Sequence, residues 1–189
     1  MGVALRFSIL ALFTCVTGVG ATAKTPLRRC PAPFAGLLSD EVFGGYGVKM
    51  PSETSPAHMP DVRTGTAYLY RTVIREGAKR GSDFAGHYRA IRIGCGAATV
   101  CLAIADTQNG KVYFPAELER ATALLVDTGT DVDTLNYRRN SRLLVVVGLP
   151  NEEPARAGMS YYTWRSGKLS LIRFTPAAKL CSLPPSTQF

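Results

Sequence analysis

Residues 84–115 hold most of the side chains in this chain whose types and spacing could do chemistry. His87 stands alone among them, followed by Tyr88, by Cys95 and Cys101, and by Asp106 just ahead of an Asn109-Gly110 pair. A histidine beside a carboxylate is the usual device for moving a proton in hydrolysis. His87 with Asp106, or with the Tyr88 hydroxyl, is therefore the candidate catalytic set of a hydrolase. A Cys–His nucleophile would need a free, activated thiolate, and Cys95 and Cys101 are expected to be oxidised to each other. Each of these residues also has a structural role to weigh. A strand histidine commonly packs and bonds a backbone carbonyl, and an aspartate ahead of Asn-Gly commonly bonds the amides of the turn. His58 sits in a proline-rich stretch and is a weaker candidate still.

Further carboxylates, Asp127, Asp131 and Asp133, share a Thr/Gly/Asp loop. Their oxygens could hold calcium, but the spacing is not that of an EF-hand and no glutamate closes it, so a solvated loop is expected. The cysteines lack a C-x-x-C pair and lie far from the histidines, which argues against zinc. There is no G-x-S-x-G elbow, no H-E-x-x-H pair and no glycine-rich phosphate loop opening a helix. No cofactor or metal is expected. A different chemistry, that of recognition, is carried by Arg138, Arg139 and Arg142 and by Tyr161 and Trp164, aromatics that alternate on one strand. Arginine beside exposed aromatics is the composition of a protein interface.

The compartment follows from the first residues. Arg6 precedes an apolar run over residues 7–16, and Ala21-Thr22-Ala23 closes the pattern. This is the layout of a secretory signal, predicting cleavage before Lys24 and a periplasmic or secreted protein. Cys15 offers a lipoprotein alternative: Leu12 fits it, but Phe13 and Thr14 are bulkier than the residues that usually precede a lipidated cysteine. No segment of the mature chain is long and apolar enough to span a bilayer. Four cysteines remain, Cys30, Cys95, Cys101 and Cys181. In an oxidising compartment they suggest two disulfides with three connectivities open. Cys95–Cys101 and Cys30–Cys181 are the expected pairs. The second would close a long loop, worth about 4–5 kcal/mol in the chain-entropy account. The formal net charge of +8 favours an acidic protein or an anionic envelope component as partner. Nucleic acid is not expected for an exported protein.

These residues need elements to position them. Residues 1–23 read as the signal and 24–65 as a proline-rich extended leader with one short turn near residues 34–38. Residues 66–175 form the domain, and 176–189 a tail. A helix is expected over residues 66–79, with Tyr70, Val73, Ile74 and Gly77 on one face and Arg71, Arg75 and Lys79 on another. Strands are expected at 87–93, 100–105, 111–114, 142–148, 160–165 and 168–174. Asn109-Gly110 is read as a type I′ turn and Ser166-Gly167 as a second hairpin; residues 116–126 are ambiguous. The fold class is mainly β (α+β): an antiparallel meander of about six or seven strands, with propeller-blade-like hairpins and one packed N-terminal helix.

Several motifs are shared with known proteins. Phe84-Ala85-Gly86-His87-Tyr88, Gly94-Cys95-Gly96, Gly110-Lys111-Val112-Tyr113, Ser141-Arg142-Leu143-Leu144 and Tyr161-Tyr162-Thr163-Trp164 resemble a family of small exported bacterial proteins. The likeness spans roughly residues 67–172. It implies a periplasmic setting and brings no catalytic residues with it. Members of that family carry a tighter Gly-Cys-Gly-x-x-Cys spacing than the one here. Two functions are therefore in play. One is a non-enzymatic binding or inhibitory module, acting through the 94–101 and 151–158 loops and the arginines. The other is a cell-envelope hydrolase using His87 with Asp106.

Overall fold

A computed structural model describes residues 34–51, 57–124 and 132–180 of the chain. The expected signal, Cys15, Cys30, Cys181, Asp127 and Asp131 lie outside those residues, and with them the proposed Cys30–Cys181 pair. Eight strands form one antiparallel sheet: β1 (Tyr88–Gly96), β2 (Thr99–Asp106), β3 (Val112–Tyr113), β4 (Arg120–Ala123), β5 (Leu135–Tyr137), β6 (Leu143–Pro150), β7 (Gly158–Arg165) and β8 (Lys168–Pro176). Their order is β1-β2-β4-β6-β7-β8, with β3 beside β2 and β5 beside β6. Chain order and sheet order run together, so the meander expected from the sequence is what forms.

Period-two alternation explains why the sheet is covered on both sides. Ala90, Leu102, Ile104, Leu144, Val146, Tyr162 and Trp164 point to one face and share one core with Phe84 and Leu169. On the opposite face, Ile91, Ile93, Ala103 and Ala105 pack with Ile74 and Val62, while Leu143, Val145, Val147, Met159 and Tyr161 pack with Phe43 and Leu180. β1 and β7 are four steps apart in the sheet, a span of about 19 Å were it flat. Yet the Tyr88 and Trp164 rings lie 5.3 Å apart between centroids. The sheet must curl to bring them together, and its concave face becomes the main core.

Among the described residues, five short α-helical segments accompany the sheet: α1 (Phe34–Leu37), α2 (Asp40–Gly44), α3 (Gly65–Leu69), α4 (Arg71–Ala78) and α5 (Ala177–Leu180). The single helix expected over 66–79 is instead two pieces, because Tyr70 (φ −103°, ψ 18°) leaves helical geometry between them. Of its expected inward face, Ile74 is buried but Val73 stays 43% exposed. The leader forms α1 and α2 rather than one turn, and Phe43 anchors them in the core. The described part of the 116–126 stretch holds a 3₁₀ turn, Ala116–Leu118, and β4. β5 was not anticipated at all.

The two hairpins differ. Ser166 (φ 49°) and Gly167 (φ 80°) make the two-residue turn expected between β7 and β8. Asn109-Gly110 does not form a two-residue type I′ turn. Of the pair only Gly110 has positive φ (77°), and the loop closes through Asp106 N to Lys111 O (2.8 Å) and Gly110 N to Asp106 O (2.8 Å). The cause is Asp106, whose side chain captures the loop.

Candidate functional site

The motif Phe84–Tyr88 folds into a tight turn ahead of β1. Phe84 and Tyr88 exchange backbone hydrogen bonds, each 2.9 Å. Ala85 (φ 44°) and Gly86 (φ 87°) both take the left-handed region, which costs a non-glycine residue about 1 kcal/mol or more. The surroundings hold the strain in place: Ala85 N donates to Ser141 O (3.1 Å) and Gly86 N to Arg139 O (2.6 Å).

This turn brings His87 near Asp106. His87 Nε2 lies 3.7 Å from Asp106 Oδ1, outside hydrogen-bond reach. The Asp106 oxygens are already in use. Oδ1 accepts from Gln108 N (2.9 Å) and Oδ2 from Asn109 Nδ2 (2.9 Å). The His87 ring lies against Tyr88, 4.2 Å between centroids, and its carbonyl accepts from Thr107 Oγ1 (2.6 Å). The two residues meet, but the carboxylate is committed to the turn.

Beside the same turn opens a cleft of about 330 Å³, lined by Val48, Ala85, Tyr88, Arg142, Trp164, Arg165 and Ser166. His87 and Asp106 are not among its walls. Trp164 is only 3% exposed, locked edge-on against Tyr88 and against Tyr113 (5.4 Å). Its Nε1 and the Nε of Arg142 are buried without a hydrogen-bond partner. No aspartate or glutamate lines the cleft, and neither Arg142 nor Arg165 has an ion pair among the described residues. Burial first, and then the nearby Asp106 carboxylate, pushes the Tyr88 phenol above its ordinary range, so it stays a neutral hydroxyl. The cleft thus offers two guanidinium groups and a serine hydroxyl beside an apolar wall. Planar guanidinium forks suit carboxylate or phosphate.

The other expected recognition residues have structural work. Arg138 Nε meets Asp40 Oδ1 (3.3 Å) and its guanidinium covers the Phe43 ring at 4.5 Å. Arg139 Nε bonds Ser82 Oγ (3.2 Å). Tyr161 is 1% exposed and lies under Arg173 (3.8 Å). Neither it nor the Trp164 ring is the exposed interface aromatic that strand alternation suggested, because β7 is covered on both faces. Arg165 and Ser166 were missed; the only sequence signal for them was their place at a hairpin tip.

Cys95 and Cys101 form the expected disulfide, with Cα atoms 5.8 Å apart across the β1–β2 hairpin. Asp133, from the candidate calcium loop, pairs with Arg92 at 2.9 Å. Among the described residues no cluster of His, Cys, Asp or Glu could hold a metal, and no helix is long and apolar enough to cross a membrane. Two further cavities are described. One of about 240 Å³ lies by Tyr70, Cys101 and Phe114; the other, of about 470 Å³, lies between α4 and β1. Comparison with protein-family models, with curated proteins and with solved structures finds no match, so the chemistry of the site has to be read from its geometry.

Proposed function

We propose that this chain is an exported, non-enzymatic binding protein that docks an acidic group of a partner in the cleft beneath the Phe84–Tyr88 turn. One observation carries this reading: Arg142 and Arg165 converge on a cleft with no carboxylate in its walls. Both residues bring positive charge to the cleft wall, the buried Arg142 Nε has no acceptor, and an anionic group from a partner would supply the missing counter-charge. An inhibitory or immunity-like role, acting by surface complementarity, is the form of binding that fits. The basic charge of the chain favours an acidic partner.

The hydrolase alternative has one observation in its favour, the 3.7 Å approach of His87 to Asp106. Against it, both Asp106 oxygens serve the turn, and neither residue borders a described cavity.

The test is affinity capture with tagged protein, comparing the native chain with Arg165→Glu. Arg165 is exposed, so reversing its charge leaves the fold intact. A stoichiometric acidic partner that is lost in the variant and released by salt supports the reading. A partner retained equally by Arg165→Glu places recognition elsewhere and removes the cleft from the account.

A further inference from the structure

The cleft above takes no part in a second basic surface on the α3–α4 side of the molecule. Residues 68–80 carry four basic side chains, Arg71, Arg75, Lys79 and Arg80, against one acid, Glu76. Lys79 Nζ holds that acid at 2.6 Å. Among these charges, apolar side chains project into solvent: Leu69 is 73% exposed, Tyr68 49% and Val73 43%. The break at Tyr70 is what turns them outward while Ile74 alone is buried from α4. Leu69 gains nothing from the fold at that exposure.

Directly beside them runs the 470 Å³ groove, with Thr72, Val73, Glu76, Gly77 and Arg80 on the helix side and Arg89, Arg92 and Tyr137 on the sheet side; Glu76 is the one carboxylate in its walls, and Lys79 pairs with it. Its arginines are positioned in advance. Arg89 Nη1 pairs with Asp83 (2.9 Å), and Arg92 holds Asp133 and the Leu135 carbonyl. Arg89 Nε is left buried without an acceptor, and Arg80 has no ion pair among the described residues. Gly77 makes the close helix–sheet approach that forms the groove floor: a Cβ there would come within 3.0 Å of the Ile91 side chain.

We infer that this face docks on an anionic phospholipid surface, with Leu69 and Val73 entering the interface and a lipid phosphate taken between Arg80, Arg89 and Arg92. Exposed leucine and valine bordered by arginines is the composition of an interfacial helix. Anionic headgroups complement its charge. A few protruding apolar side chains on long basic flanks suit a fluid surface that rearranges around them. A stable protein partner needs about 800 Å² of fitted surface per side, which three side chains do not supply.

Vesicle co-sedimentation of the purified full chain tests this, using phosphatidylcholine with and without about a third phosphatidylglycerol. The variants are Leu69→Ser/Val73→Ser and Arg75→Gln/Arg80→Gln, all at exposed positions, with circular dichroism to confirm their folds. Comparison among variants cancels any contribution from residues outside the described regions. Binding should require the anionic lipid and fall with salt. It should drop about tenfold without the two apolar side chains, and about fivefold for each arginine removed. Equal binding to neutral vesicles, or variants that bind like the native chain, overturns the inference. So does loss of vesicle binding in millimolar inorganic phosphate, which would make the groove a site for a free anion.

Discussion

At the residue scale, the outcome turns on what a carboxylate is already doing. Asp106 is 4% exposed and accepts from both Gln108 N and Asn109 Nδ2. A buried acceptor lost from beneath two donors costs each of them its partner. Asp106→Ala is therefore expected to lower stability by about 2–3 kcal/mol in urea denaturation. Asp106→Asn should cost less, since an amide oxygen keeps the Gln108 bond while its NH₂ opposes that of Asn109. His87→Gln loses little beyond its contact with the Tyr88 ring, about 1 kcal/mol or less. If His87→Gln instead abolished a hydrolytic activity without moving the melting temperature, the packing role assigned to His87 would be wrong. A histidine eight residues from a cysteine invites a catalytic reading, but the cleft beside it is lined instead by Arg142, from the Ser141–Leu144 motif, and by Arg165, which lies in none. In the proposed docking role, Arg142 and Arg165 matter because no carboxylate lines the cleft with them, and absence of a carboxylate in space leaves no mark in a sequence.

At the scale of elements, the hairpin tips show where local rules suffice. Cys95–Cys101 closes a loop of separation 6, worth about 2 kcal/mol by chain entropy. Replacing both cysteines with serine should lower the denaturation midpoint by that amount and make it insensitive to reductant; a variant with unchanged stability would mean the β1–β2 hairpin holds itself. Gly167→Ala should destabilise, although alanine's smaller unfolded-state entropy alone would favour it. Its φ is 80°, and a Cβ there would lie 2.5 Å from the Tyr113 ring, the same ring that packs on Trp164. The displaced β7–β8 turn should show first as faster amide exchange at Arg165 and Lys168. β1 was legible from alternation, β2 and β6 as short apolar runs that the sheet buries on both faces, and β7 from the Ser166-Gly167 turn that follows it. β5 was not, since three residues between polar loops carry no period, and they become a strand only because β6 offers a free edge to Leu135, Asn136 and Tyr137. The Asn109-Gly110 signal was real as a turn and wrong as a type. Asp106, three residues upstream, accepts from Gln108 N and Asn109 Nδ2 through its side chain and from Gly110 N through its carbonyl, which sets a longer loop. The helix over 66–79 had the right period, but its break at Tyr70 depends on tertiary placement against Phe114, 6.5 Å between ring centroids.

At the scale of the whole molecule, the curled sheet does to its tyrosines what no single strand would. Tyr162 comes from the concave face, Tyr161 from beneath α2 and α5, and Tyr88 and Tyr137 from the edge of the main core. Burial is the leading cause in all four cases, and it pushes each phenol above its ordinary value of 10.0. The sign of the effect on stability follows from proton linkage. Each folded phenol keeps a proton that the unfolded chain would release, so the stabilisation is complete below pH 10 and is lost as pH rises through the folded values. At the acid end Asp83 sets no trap. Burial raises its carboxyl as well, so the contribution of this group to stability does not fall as it protonates. Absorbance titration at the phenolate band should show these four tyrosines ionising together with loss of the near-ultraviolet circular dichroism signal, rather than one by one before it. Tyr161→Phe provides the control. Its hydroxyl has a long contact to Met159 Sδ, 4.0 Å, and meets the Arg173 side chain; the ring stays packed without it, so the variant should fold as the native chain does and keep more of its stability above pH 10. If all tyrosines titrated freely near pH 10 with the fold intact, the two-sided burial of β7 that closes the sheet around Trp164 could not be correct, and the cleft built on that closure would go with it.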